Sequence, residues 1–130
     1  MISGRPKVYI IDDDESVRRS LQRLVRCADY EVEVVATSEA YLALAAPGRS
    51  SCLVVDMRMP GMSGLDLQRI IAGTSHDRPV VFVTGHGDEA LRREAMARGA
   101  VDVLFKPLDG EVLLDAIARA LARTMAVAAS

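Results

Sequence analysis

The chain has 130 residues, of which half are apolar and 4% aromatic, and its formal net charge is −2. This length corresponds to one domain, whose core must be built from aliphatic side chains and Met because there is no Trp. The near balance of charge and the lack of a long apolar run or a signal peptide exclude direct binding to nucleic acid or a membrane, and predict a cytoplasmic domain.

Short apolar runs alternate with helical patterns along the whole chain. The runs predict strands over residues 8–11, 31–36, 52–56, 80–84 and 102–105. Between and after them, apolar residues recur at helical spacing and predict helices over residues 17–28, 38–46, 64–72, 88–98 and 110 to about 122. Asp14 stands where the first helix needs an N-cap, and Glu15 follows in the first turn, where an acidic side chain is favourable.

The repeated alternation of strand and helix predicts an α/β fold in which helices cover both faces of a parallel sheet. The first, third and fourth runs are continuously apolar, which is typical of central strands. The run "EVEVV" alternates, which indicates an edge strand with one face partly in water. No internal linker interrupts the pattern. We therefore place the domain at residues 1–123 and interpret residues 124–130 as a tail or the start of a linker.

The two cysteines, Cys27 and Cys52, lie in apolar neighbourhoods and lack CxxC spacing. We expect two buried thiols in a reducing compartment, and a disulfide is the alternative. Metal ligation by thiolate or imidazole is not indicated, because the cysteines are scattered and His76 and His86 lie apart.

Polar side chains suited to binding a charged ligand follow four of the predicted strands. Asp12 and Asp13 end the first strand, Asp56 the third and Thr84 the fourth, and Lys106 follows the fifth. The carboxyl ends of parallel strands meet at one edge of the sheet, which is where ligands of such folds bind. Each residue alone has an ordinary explanation as a turn former, a strand residue or a solvated surface group. Together they predict one site.

The chemistry of that site follows from its charges. Crowded carboxylates favour a hard divalent cation, and oxygen-only ligation indicates Mg²⁺, with Mn²⁺ as the alternative. A deprotonated aspartate beside the cation can attack phosphorus, while a lysine ammonium neutralises the developing charge and a threonine hydroxyl binds a phosphoryl oxygen. These residues therefore predict a receptacle for a phosphoryl group.

Four motifs surround these residues: "IIDDDESVRRSL", "VVDMRMPGMSGLDL", "VVFVTGHGD" and "GAVDVLFKPL". In this order and spacing, from about Lys7 to Leu121, the sequence resembles the receiver domain of bacterial two-component response regulators. The resemblance implies a flavodoxin-like, doubly wound (β/α)5 fold with a five-stranded parallel sheet in the order 2-1-3-4-5. It also implies a conformational switch that a sensor histidine kinase or a phosphotransfer protein phosphorylates, and not a turnover enzyme. The closest similarity is to the subgroup that often precedes a helix-turn-helix output domain.

The resemblance assigns roles to the acidic residues one by one. Asp56 is expected to accept the phosphoryl group from a phosphohistidine of the partner kinase. Asp13, Asp56 and the backbone carbonyl of Arg58 are expected to ligate Mg²⁺ directly, and Asp12 through a bound water.

The resemblance also implies a switch around the phosphoryl group. Lys106 is expected to pair with that group, and its peptide bond to Pro107 is expected to be cis. Thr84 is expected to move toward a phosphoryl oxygen and to report the modification to the surface of the fourth helix and fifth strand. The family often has an aromatic residue three positions before the lysine. Val103 occupies that position here, so the corresponding ring movement is not available.

Further hypotheses concern timing and contacts. Arg58 and His86 occupy positions that influence hydrolytic water access in the family, and we predict that this bulky pair shields the acyl phosphate; the alternative is two solvated loop residues. An arginine-rich face of the first helix is either a kinase-docking surface or ordinary solvated surface, and it consists of Arg18, Arg19, Gln22, Arg23 and Arg26. Leu114 and Ala118 are candidates for a phosphorylation-dependent homodimer contact.

Two rival functions share parts of this pattern. A haloacid-dehalogenase-like phosphohydrolase needs a second aspartate two residues after the nucleophile as general acid, but Arg58 stands there and cannot serve. A flavin-binding flavodoxin-like module needs a phosphate-binding loop after the first strand, but that loop is acidic and would repel phosphate. Neither rival accounts for the whole residue set.

Overall fold

A computed structural model of the chain describes residues 5–46, 50–85 and 89–129. Its strands are β1 Lys7–Ile11, β2 Glu31–Val35, β3 Ser51–Asp56, β4 Val80–Thr84 and β5 Asp102–Phe105. Its helices are α1 Glu15–Cys27, α2 Ser38–Leu42, α3 Gly64–Ile71, α4 Glu89–Ala97 and α5 Gly110–Ala129. Strand and helix alternate through these residues, as the sequence predicts. Within the described part of the chain, no helix combines the length and the apolar character that a membrane span requires.

The five strands form one sheet in the order β2-β1-β3-β4-β5, and every neighbouring pair is parallel. This confirms the predicted strand order and places β2 at an edge. Ile11 is in register with Val55 of β3, so Asp12 and Asp56 follow at the same level on adjacent strands. The strand order reverses at β1 and β3, and the crevice beyond their carboxyl ends is where ligands of such sheets bind.

Two apolar clusters, one on each face of the sheet, form the core. Successive strand residues point to opposite faces, so Val8 and Ile10 join one cluster while Tyr9 and Ile11 join the other. The first cluster packs the sheet against α1 and α5, and the second packs it against α2, α3 and α4. The central strands β3 and β4 are buried along their whole length, which explains their continuously apolar sequences.

The start of α1 is capped as the sequence predicts. The Asp14 side chain accepts hydrogen bonds from the backbone N–H groups of Ser16 (2.9 Å) and Val17 (3.3 Å), and Glu15 lies in the first turn. These bonds satisfy donors that have no partner inside the helix. The cap therefore determines where the loop after β1 ends and α1 begins.

Two helices differ in length from the prediction. α2 ends at Leu42 instead of continuing to residue 46; the Leu44 N–H then bonds back to the Tyr41 carbonyl (3.1 Å), and the Leu44 carbonyl accepts a hydrogen bond from His76 Nε2 (2.8 Å). α5 continues to Ala129, well past residue 122, because its last residues are rich in Ala, a strong helix former. The domain boundary that we place after residue 123 thus lies inside α5, and it stays a prediction.

One further detail corrects the sequence analysis. Cys27 is exposed and not buried, because it lies on the side of α1 away from the buried Leu21 and Val25. Cys52 is buried as predicted, and burial raises the pKa of its thiol to about 12. All five residues of β2 are half-buried, and Val32 and Val34 pack against one core cluster, which agrees with the edge strand that the sequence predicts.

Candidate functional site

Asp12, Asp13 and Asp56 form an acidic cluster at the carboxyl edge of the sheet. One oxygen from each carboxylate lies within 4.8 Å of the others. Asp12 and Asp56 are only 2% and 8% exposed, whereas Asp13 is exposed to solvent. The adjacency of β1 and β3 produces this arrangement, since the three residues end these strands or directly follow them.

Asp12 is held by bonds from three directions. Its backbone N–H donates to the carbonyl of Val35 at the end of β2 (3.2 Å). Its Oδ1 accepts from the backbone N–H of Asp14 (2.9 Å), and its Oδ2 lies 3.5 Å from Lys106 Nζ in an ion pair. A buried carboxylate needs such partners, because leaving its charge unpaired would destabilise the fold.

The carboxyl of Asp56 has a clearly raised pKa. Burial, together with the nearby charges of Asp12 and Asp13, raises it to about 6. A hydrogen bond from the backbone N–H of Arg58 to Asp56 Oδ1 (3.1 Å) and the charge of Lys106 act in the opposite direction. Asp56 is thus mostly ionised at neutral pH, while its negative charge is poorly compensated and would be stabilised by a cation.

Thr84 and Lys106 border the same edge from β4 and the segment after β5. Thr84 is buried (1% exposed), and its backbone carbonyl accepts a hydrogen bond from the backbone N–H of Lys106 (2.8 Å). Lys106 is partly exposed, and its peptide bond to Pro107 is cis. The sheet therefore brings the hydroxyl, the ammonium and the three carboxylates of the sequence prediction to one edge.

The residues predicted to affect switching and timing, Val103, Arg58 and His86, do not all lie in the site. Val103 is 4% exposed and belongs to the core cluster on the α3 and α4 side of the sheet, so it is a packing residue. Arg58 is exposed at the rim of the site. His86 lies outside the described residues.

The two predicted contact surfaces are only partly exposed. Arg19, Arg23 and Arg26 are exposed on α1, as a docking face requires. Arg18 is not: it is half-buried, and its Nη1 donates to the backbone carbonyl of Asp12 (2.8 Å). On α5, Ala118 is exposed, whereas Leu114 is partly buried against the core.

Arg18 is the site residue that sequence reasoning does not identify. On the helical pattern it belongs to the polar side of α1, and nothing in the sequence distinguishes it from its arginine neighbours. Its position one turn after Asp14 is the available signal, because a long side chain in the first turn of a helix can reach back over the preceding loop.

The acidic cluster fits a hard divalent cation. Its donors are carboxylate oxygens from both sides of the β1–β3 crevice, which is the oxygen-only set that Mg²⁺ and Mn²⁺ prefer. Burial and the charges of Asp12 and Asp13 raise the pKa of Asp56, and a bound cation would offset the repulsion among these carboxylates. The arrangement can therefore hold such an ion beside the carboxylate of Asp56.

Comparison with known proteins gives consistent matches. A family model described as the response regulator receiver domain matches residues 8–118. The chain is 43% identical over 121 residues to nodulation protein W of Bradyrhizobium diazoefficiens, covering 93% of this chain and 53% of that protein. It is 42% identical over 113 residues to the transcriptional regulatory protein FixJ of Rhizobium meliloti, covering 87% and 55%. The chain thus spans about half the length of these curated relatives.

Solved structures match the fold as well. The response regulator StyR superposes with a TM-score of 0.86 at 42% identity, covering 97% of this chain and 66% of that one. The FixJ-N crystal structure superposes with a TM-score of 0.83 at 39% identity, covering 92% and 96%. These similarities confirm the predicted flavodoxin-like architecture.

Proposed function

This chain belongs to the response regulator receiver domains of two-component signalling, which are phosphorylated by sensor kinases, and we propose that Asp56 is the residue that accepts the phosphoryl group. One observation supports this choice above others. Asp56 ends the central strand β3 within 4.8 Å of both other acidic groups, whereas Asp12 is engaged in an ion pair with Lys106 and Asp13 is exposed. The domain acts as a switch that is modified and restored, and not as an enzyme with its own product.

In the proposed reaction, a carboxylate oxygen of Asp56 attacks the phosphorus of a phosphohistidine on the kinase or on a phosphotransfer protein. The new P–O bond forms as the P–N bond breaks, and the imidazole leaves with the electron pair and takes up a proton. The attack requires the ionised carboxylate, so the raised pKa of Asp56 sets the lower pH limit of the reaction. The Arg58 N–H orients this carboxylate by its bond to Oδ1.

Asp13, Asp56 and the backbone carbonyl of Arg58 would hold Mg²⁺, and Asp12 would act through a water. When bound, the ion supplies positive charge beside the phosphoryl oxygens. Lys106 exchanges its present partner, Asp12, for a phosphoryl oxygen, which is a short movement for a partly exposed side chain. The carboxylates would thus bind the cation, and the Lys106 ammonium would pair with the phosphoryl group once it is on Asp56.

The output of the switch begins at Thr84. Its side chain rearranges toward the phosphoryl group, and β5 follows because Thr84 is in register with Phe105. Phe105 is 38% exposed, so a change at this register reaches the surface. Val103 does not take part by ring movement, because it is a small residue packed in the core. The proposal includes two contact surfaces. Leu114 and Ala118 would form a phosphorylation-dependent homodimer contact, and the exposed arginines of α1 would contact the kinase.

The test is incubation with acetyl phosphate and Mg²⁺ followed by intact mass measurement. We expect one phosphoryl adduct on the wild-type chain, none on Asp56→Asn and none after chelation of the metal. Asp115→Asn is the matched control, because Asp115 is an exposed carboxylate on α5 that pairs with Arg119 far from the cluster in sequence. An adduct that survives Asp56→Asn, or that never forms on the wild type, would overturn the assignment.

A second measurement addresses timing. If Arg58 and His86 shield the acyl phosphate, Arg58→Ala and His86→Ala shorten the lifetime of the purified phosphorylated domain. Arg69→Ala is the control, since Arg69 is an exposed arginine on α3. Lifetimes equal to that of the wild type would remove both residues from the proposal without affecting the role of Asp56.

A further inference from the structure

We propose that Arg18 is a positioning residue for the acidic cluster, acting through the backbone of Asp12 and not through a carboxylate. The proposal rests on the metal-dependent function proposed above. Arg18 lies in the first turns of α1 and is half-buried, and its Nη1 donates to the backbone carbonyl of Asp12 at 2.8 Å. A charge-assisted bond of this length is among the stronger hydrogen bonds a protein makes.

The backbone carbonyl of Asp12 lies where the sheet ends. The Asp12 N–H still bonds to Val35 of β2, but Ile11 is the last residue of β1. From there the chain turns toward the cap at Asp14, so the next carbonyl needs a partner from outside the sheet. Arg18 supplies it from the helix that follows, which ties the acidic loop to α1.

The atom that Arg18 contacts matters for metal binding. A guanidinium on a carboxylate of the cluster would occupy oxygens that a cation needs. On the backbone carbonyl it leaves both carboxylate oxygens of Asp12 to the Asp14 N–H and to Lys106. The bond also fixes the peptide plane between Asp12 and Asp13, and therefore the direction in which the Asp13 side chain leaves the backbone.

The bond from Arg18 also differs from the ion pair with Lys106 in how long it lasts. In the proposed function, Lys106 leaves Asp12 for the phosphoryl group, whereas the bond to the Asp12 carbonyl needs no exchange. Arg18 would hold the loop throughout the phosphorylation cycle. Its neighbour Arg19 is oriented differently: Arg19 is exposed and pairs with Glu15, one turn away on the same helix (2.9 Å).

Two effects of Arg18 on a cation oppose each other, and their balance makes the proposal testable. As a nearby positive charge, the guanidinium repels a divalent ion, so its removal by itself would tighten binding by about threefold. As an orienting group it favours binding, and loss of such an outer contact typically weakens metal affinity about 10- to 100-fold. The sign of the change in affinity therefore separates positioning from mere proximity.

The experiment is Mn²⁺ titration of the whole chain, with free Mn²⁺ measured by electron paramagnetic resonance. We expect the Kd of Arg18→Ala and Arg18→Met to rise about tenfold, and that of Arg18→Lys to be intermediate because it keeps a donor but not the planar fork. Arg69→Ala is the control, because Arg69 is an exposed arginine on α3, and this variant should bind Mn²⁺ as the wild type does. A tighter or unchanged Kd in Arg18→Ala and Arg18→Met would overturn the proposal, as would loss of the folded far-UV circular dichroism spectrum in all three Arg18 variants.

A kinetic readout distinguishes this inference from the proposed function itself. With acetyl phosphate, Arg18→Ala should need more Mg²⁺ for half-maximal phosphorylation but reach nearly the wild-type rate at saturating Mg²⁺. Failure of the wild type to bind Mn²⁺ or to be phosphorylated would contradict the proposed function. Normal behaviour of the wild type together with an unchanged Mg²⁺ requirement in Arg18→Ala would contradict the role of Arg18 alone.

Discussion

Replacement of Asp56 by Asn should stabilise the folded domain at neutral pH. Burial and the charges of Asp12 and Asp13 raise the pKa of Asp56 to about 6, above the ordinary value of 3.8 that we take for the unfolded chain. The folded state therefore binds the proton more tightly than the unfolded state. The carboxyl favours folding most at low pH, and that advantage is lost as the pH rises through about 6. Asn has the same shape and keeps an oxygen that can accept from the Arg58 N–H.

The size of the effect follows from the pKa difference. A shift from 3.8 to about 6 corresponds to roughly 3 kcal/mol when the pH is well above both values. Solvent reaches the site beside the exposed Asp13, and its screening reduces the electrostatic part. We therefore expect Asp56→Asn to raise the free energy of unfolding by about 1–2 kcal/mol at pH 7.5 and by less than about 0.5 kcal/mol near pH 4.

The assay is urea denaturation, followed by circular dichroism, at several pH values in metal-free buffer. Asp115→Asn on the outer side of α5 is the control for removing an acidic charge, and it should change stability little at any pH. Addition of Mg²⁺ should stabilise the wild type and should have a smaller effect on Asp56→Asn, because the variant lacks one ligand carboxylate.

Particular results would refute this reasoning. If Asp56→Asn were as stable as the wild type at pH 7.5, or less stable, the Asp56 carboxylate would not be electrostatically strained in the folded state. If the variant gained the same stability at pH 4 as at pH 7.5, the gain would come from packing and not from the raised pKa.

Three further predictions concern neighbours of the site and the core. Gly64→Ala should lower the free energy of unfolding, measured by urea denaturation, by about 1–3 kcal/mol and should also slow phosphorylation by acetyl phosphate. The reason is that a Cβ at this position would lie 2.7 Å from the backbone oxygen of Asp56. A variant as stable as the wild type would contradict this prediction. Gln68→Met should change the free energy of unfolding by less than about 1 kcal/mol: the hydrogen bond to Ala95 is lost (3.2 Å), but so is a buried side-chain oxygen that has no partner among the described residues. A large destabilisation would show that the amide is essential. Lys106→Met should raise the pKa of Asp56 further, since Lys106 lowers it, so the pH profile of phosphorylation moves to higher pH; an unmoved profile would count against this coupling.

Much of the fold could be predicted because its signals are local. A parallel sheet aligns every strand in the same direction, so residues that end the apolar runs must lie at one edge whatever the details of packing. For this reason the sequence alone predicts that Asp12, Asp56 and Thr84 lie at the same edge of the sheet. The N-cap at Asp14 was predictable for the same reason, since it depends on residues two and three positions away.

Other features depended on contacts between distant segments. The segment after α2 is held by a loop 32 residues away in sequence, since His76 Nε2 donates to the Leu44 carbonyl. Cys27 is exposed because the apolar stripe of α1 faces the sheet along Leu21 and Val25. The helical pattern cannot show the contact with His76, because it describes one element at a time, whereas the exposure of Cys27 follows from its position off that stripe.

Strand direction and residue order place the groups of this site at one edge of the sheet, so their identity can be predicted before the packing is known. How each group is held and charged depends on contacts between distant segments. The pKa of Asp56 depends on the depth of burial and on two carboxylates across the β1–β3 crevice. The place of Arg18 depends on the angle at which α1 returns over the loop, which directs one of several similar arginines to the carbonyl of Asp12.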